Sequence, residues 1–164
     1  MSDAPRTSNS TRDQVRRKLE QTHAAYHELL ASLAAGDFKK KSANEAWTVG
    51  QLMWHVAWGS GYVASGVERA RTGKDLSFPP RGIFDTLNPF VTRLGARGAT
   101  PESVGKKYDE AYAKAVAAID TVKDDEWDKG FKRLGQFLSV TDVYAENAAH
   151  FEEHRADILK GLGR

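Results

Sequence analysis

No cysteine occurs anywhere in the 164 residues. That absence excludes disulfides, thiolate metal ligands and a cysteine nucleophile together, and it fits a cytoplasmic protein. Long apolar runs are missing as well. Nothing approaches the roughly 20 residues that cross a bilayer, so no membrane partner is expected. The opening M-S-D-A-P-R-T-S-N-S has no apolar core region and does not read as a signal peptide. Charge of one sign is not concentrated either. Lys and Arg total 24 against 22 Asp and Glu, a net of +2, and Lys39-Lys40-Lys41 reads as a solvated loop. A nucleic-acid binder presents a gathered basic face, so no nucleic-acid partner is expected. A glycine-rich phosphate loop, a G-x-S-x-G elbow and convincing strands are all lacking.

What is present is the composition of an ordinary globular chain, 40% apolar and 28% charged. Residues 1–10 are small and polar and read as a disordered N-terminal tail. Residues 11–164 read as a single domain, long enough to bury a core. Four long amphipathic segments recur at helical spacing. The first, 11–35, opens on the capping box Thr11/Gln14 and is expected to stop at Gly36. The second, 48–71, opens on Thr48/Gln51, with Trp47 placed to staple onto its first turn. The third, 101–122, starts at Thr100-Pro101-Glu102, and the fourth, 139–160, at Ser139/Asp142. Segment 72–99, with Pro79-Pro80, Gly82, Asn88-Pro89 and Gly95, predicts one or two short helical turns in a long crossover. The fold class expected is all-α, a four-helix bundle with a long crossover between helices 2 and 3.

The chemistry lies in the histidines. His150 and His154 stand four residues apart, stacked one turn above the other on or beside the apolar face of the last helix. Imidazoles aimed into a bundle need a partner, because an unpaired buried polar group costs about 1–3 kcal/mol. A metal ion is such a partner. His55, between Leu52, Val56 and Trp58 on the second helix, is the third ligand candidate, although a lone histidine on an apolar face is more often satisfied within the core. Three neutral imidazoles leave coordination positions open, as in catalytic zinc sites, and also suit nickel, cobalt, iron or copper. Glu146 ranks below His154 because it points toward the charged face. His23 and His27 read as one boundary and one surface residue. Tyr26, Asn147 and Trp58 are candidates to line a pocket beside the triad. No repeated E-x-x-H pair supports a di-iron site.

The stretch W-T-V-G-Q-L-M-W-H-V, followed near the C-terminus by H-F-E-E-H, resembles the DinB/YfiT-like family of metal-dependent bundles. Trp47, Thr48, Gln51, Leu52 and His55 match its W-[ST]-x-x-[EQ]-[LIV]-x-x-H pattern, and His150 and His154 match its H-x-x-x-H pair. The resemblance spans essentially the whole domain. It implies an up-down-down-up bundle, a homodimer, and a divalent transition metal on His55, His150 and His154, zinc or nickel first, with iron, manganese and cobalt open. It also implies a thiol-dependent S-transferase or a hydrolase acting on a small-molecule substrate, with bacillithiol or mycothiol as the kind of low-molecular-weight thiol used. The alternative is a non-enzymatic metal- or ligand-binding stress-response protein. A metal-free bundle whose histidines are satisfied by hydrogen bonds is the third reading.

Overall fold

A computed structural model describes residues 8–75 and 81–164, with side chains from 11 to 75 and from 87 onward. Residues 1–7 of the expected tail and residues 76–80 of the crossover lie outside the described residues. Along the chain run α1 (Ser8–Ser32), a 3-10 turn (Asp37–Lys39), α2 (Val49–Ser60), α3 (Val63–Thr72), α4 (Arg81–Gly95), α5 (Pro101–Thr121), β1 (Gly130–Arg133), β2 (Gln136–Ser139) and α6 (Val140–Gly161).

The fold is mostly helical and carries a small antiparallel hairpin, which corrects the all-α expectation. Leu134 and Gly135 adopt φ of 51° and 82°, the two positive angles that a tight hairpin turn matched to strand twist requires. Phe131 and Leu138 pair across the hairpin and are buried. Strands of four residues are too short to announce themselves by alternation.

Three of the four expected caps form. Thr48/Gln51, Thr100/Ser103 and Ser139/Asp142 each close a reciprocal capping box. The Thr11/Gln14 start does not, because α1 already begins at Ser8. Gly36 holds φ −68° and leads into the 3-10 turn, so α1 stops at Ser32 without a left-handed glycine. The expected 48–71 helix divides at Gly61 and Tyr62, where two glycines and a serine lower helix propensity by up to about 1 kcal/mol per glycine. In the crossover, α4 is one 15-residue helix that accommodates Pro89, longer than the short turns expected.

Both α5 and α6 pack against α1, α2 and α3, while α4 lies on α2. One core cluster gathers Tyr26, Leu52, Met53, Tyr108, Phe151 and Ile158, all at most 2% exposed. Burying each large apolar side chain contributes about 1.5–3 kcal/mol. A second cluster, with Val67, Ile119, Phe131, Leu138 and Val140, fills the end nearer the hairpin.

Candidate metal centre

The cap at Thr48 sets the phase of α2, and that phase turns His55 inward. The cap at Ser139 does the same for His150 and His154 on α6. The three side chains meet, with one ring nitrogen from each lying within 4.8 Å of the others. His55 and His154 are 5% and 6% exposed, while His150 is part-exposed. Nε2 of His55 stands 3.1 Å from Nε2 of His150. Two nitrogens bound at about 2.0–2.1 Å to one tetrahedral ion would stand about 3.3 Å apart, so the rings are nearly spaced for a shared ion already.

The opposite ring nitrogens have their own partners. Nδ1 of His55 lies 3.1 Å from Oγ1 of Thr92, a fully buried residue of α4. Nδ1 of His154 lies 3.2 Å from Oδ2 of Asp157. With Nδ1–H donating to an oxygen, the lone pair is on Nε2, and this outer partner fixes both tautomer and ring orientation.

Burial pushes the His55 imidazole down to about 3, and the neighbouring His150 and His154 add to the shift. Burial, with His154 beside it, pushes His150 down to about 4. Both rings are therefore neutral at pH 7, the state in which a histidine can coordinate. The residues present fit a divalent metal.

The surroundings hold this arrangement. Trp47 stacks on His55 with ring centroids 4.7 Å apart and meets His154 edge-on at 6.0 Å, so it does more than staple a helix start. Its loop is tied down twice. Ala43 N–H donates to the Asp157 carbonyl at 2.9 Å, and the Arg93 guanidinium donates to the Ala46 carbonyl at 3.0 Å. Arg93 follows Thr92, so one clasp presents both Trp47 and Thr92 to His55. A Cβ at Gly59 would stand 3.3 Å from Cε1 of His150. The glycine thus leaves the room that this ring occupies.

Other sequence candidates fall elsewhere. Glu146 pairs with Arg133 of the hairpin and takes no place among the histidines. Trp58 reaches His55 at 6.2 Å, whereas Tyr26 donates its O–H to the Met53 carbonyl at 3.1 Å. Asn147 lines a small gap with Ser60, Tyr108 and Tyr112. His23 and His27 are not independent boundary and surface residues. Nε2 of each lies 2.7 Å from the same oxygen, Oδ1 of Asp109 on α5. Partial burial pushes the Asp109 carboxyl up, but the hydrogen bonds from both histidines outweigh it and hold it below its ordinary value.

Solved structures share this fold. The mycothiol-dependent maleylpyruvate isomerase superposes with a TM-score of 0.70 at 15% identity, over 90% of this chain and 60% of that one. This chain therefore spans only 60% of that protein's length. The colibactin self-resistance protein ClbS, solved in complex with a dsDNA, gives 0.71 at 15% identity over 98% of both chains. A protein from Streptococcus pneumoniae gives 0.67 at 18% identity, over 98% of this chain and 92% of that one. At such identities the likeness is one of fold. No curated protein matches the sequence.

The ClbS complex corrects the expectation that nucleic acid is excluded as a partner. Phosphate contacts depend on where individual cationic side chains lie on a surface, which a net charge of +2 does not report. Among the described residues no helix is long and apolar enough to cross a membrane. The sequence pattern of the DinB superfamily matches residues 18–158, and the chain belongs to that superfamily.

Proposed function

We propose that this DinB-superfamily protein is a metal-dependent enzyme acting on a small molecule, with a low-molecular-weight thiol as cosubstrate. The reading places one divalent transition metal on His55, His150 and His154. The observation that carries it is the convergence of three imidazoles, two of them oriented from behind by Thr92 and Asp157. A divalent metal held there supplies a Lewis acid that lowers the pKa of a bound thiol or water toward neutrality.

The chain's own residues do the rest. Thr92 and Asp157 hold the Nδ1 protons of His55 and His154. Trp47 covers the buried side and keeps water from it. His150, the part-exposed member, marks the side on which a substrate enters. The protein has no thiol of its own, so a thiol nucleophile comes from a cosubstrate, in keeping with the mycothiol-dependent neighbour. In this reading α1, α2 with α3, α5 and α6 form an up-down-down-up bundle, α4 belongs to the crossover, and 11–164 is one domain.

A thiol-transfer assay with a generic electrophile, run with several low-molecular-weight thiols and with Zn²⁺ or Ni²⁺, tests the reading. Turnover that requires both thiol and metal, and vanishes in His55→Ala, supports it. The second reading is a non-enzymatic metal- or ligand-binding protein, favoured by the full-length match to a self-resistance protein. Metal bound at the triad without turnover on any thiol selects this second reading.

A further inference from the structure

A second histidine cluster lies outside the triad, where α1 packs on α5. His23 and His27, one turn apart, present Nε2 atoms to a single carboxylate oxygen, Oδ1 of Asp109, each at 2.7 Å. One ring nitrogen from each histidine and the carboxylate oxygen all lie within 4.8 Å of one another. We propose that His23, His27 and Asp109 form a second metal site, solvent-accessible and independent of the triad, that takes a divalent first-row ion such as Zn²⁺ or Ni²⁺.

Histidines four residues apart on a helix share a face, so α1 itself aims both rings the same way. Packing then fixes them. Tyr112 stacks on His23 with centroids 4.0 Å apart, the two histidines meet edge-on at 4.7 Å, and Tyr26 meets His27 edge-on at 5.7 Å. Little side-chain freedom remains for an ion to remove.

The ligand chemistry also fits. Two imidazoles and one carboxylate form a borderline donor set, which suits zinc, nickel, copper and cobalt more than magnesium or calcium. Without an ion, both ring N–H groups donate into one oxygen. On binding, each Nε2 gives its lone pair to the ion, and the displaced proton moves through solvent to Nδ1. Asp109 offsets one of the ion's two charges. The side chains of His23, His27 and Asp109 are 27%, 37% and 53% exposed, so coordination positions not filled by protein open to water or an external ligand.

The two centres are built on different helices. Ring contacts lead from His23 through Tyr108 and Tyr26 to Phe151, so buried aromatic rings pack between the α1–α5 cluster and α6. Occupancy of one centre therefore does not require the other, and the proposal stands whatever the triad does.

Calorimetric titration of the metal-stripped, full-length, tag-free chain with Zn²⁺ tests it. The wild type is expected to bind one ion more than His23→Gln/His27→Gln, and that double variant is expected to keep any binding at the triad. Conversely, His55→Gln/His154→Gln is expected to retain the α1–α5 event. Asp109→Asn removes one ligand and should weaken that event at least about tenfold. Equal stoichiometry in the wild type and His23→Gln/His27→Gln would overturn the site and leave the cluster as a hydrogen-bonded latch between helices. An unchanged affinity in Asp109→Asn would overturn it as well. Both histidines lie on a half-exposed face, and far-UV circular dichroism of each variant verifies the fold.

Discussion

Acidification of the metal-stripped protein probes the state of the triad without assuming any activity. In the folded chain His55 is held to about 3 and His150 to about 4, chiefly by burial, whereas an unfolded histidine titrates near 6.5. As pH falls below 6.5 the unfolded chain takes up protons that the folded chain refuses. Stability is therefore fully present above about 6.5 and is lost as pH falls toward the folded values. Each pH unit costs about 1.36 kcal/mol per fully withheld proton, so two units, from 6.5 to 4.5, cost about 2.7 kcal/mol per ring. His55 is 5% exposed and bears this in full. His150 is part-exposed and bears roughly half, which makes a loss of about 4 kcal/mol in all. Against a typical domain stability of about 5–15 kcal/mol, that is readily measured. Urea unfolding followed by circular dichroism with a chelator present, at several pH values from 7 to 4.5, reads it. Carboxylates contribute equally to the wild type and to His55→Gln/His150→Gln, so the difference between the two isolates the rings. That difference should change by about 4 kcal/mol across the window. A constant difference would refute the claim that these imidazoles are held neutral.

Other expectations follow from single contacts. Thr92→Val keeps the shape of a fully buried side chain but leaves Nδ1 of His55 without its oxygen, so zinc affinity should fall about 10–100-fold in chelator competition. Gly95→Ala would drive a Cβ into the Trp54 ring; the repacking should cost about 1–3 kcal/mol, read as a lower melting temperature. Glu146→Gln breaks the partly exposed pair with Arg133 and should cost under about 1 kcal/mol, with metal content at the triad unchanged on elemental analysis.

Much of this was legible in the sequence for a local reason. A cap, an apolar stripe and a histidine on that stripe are all written within about ten residues, so α2, α5 and α6 and the inward turn of His55, His150 and His154 could be read from the chain. Thr92 could not. It lies in a crossover broken by prolines and glycines, and nothing in its neighbours says which helix α4 will cover. Gly59 lies against a ring that belongs to α6, and nothing within α2 names that ring. Asp157 does carry a local signal, since a carboxylate three residues after a histidine shares its helix face. Asp109 is farther still, 86 and 82 positions along the chain from His23 and His27, and no periodicity connects them. The hairpin is not legible because four-residue strands leave no period to detect, and α1 lies three residues before its expected 11–35 because Thr11/Gln14 imitates a cap within a continuing helix.

The central claim is that His55, His150 and His154 share one ion. Crystals grown with Zn²⁺ and measured on both sides of the zinc absorption edge test it most directly. The account predicts an anomalous peak about 2.0–2.1 Å from a nitrogen of each of the three rings. No peak among them, with His55 Nε2 hydrogen-bonded to His150 Nε2 as its sole partner, would contradict it.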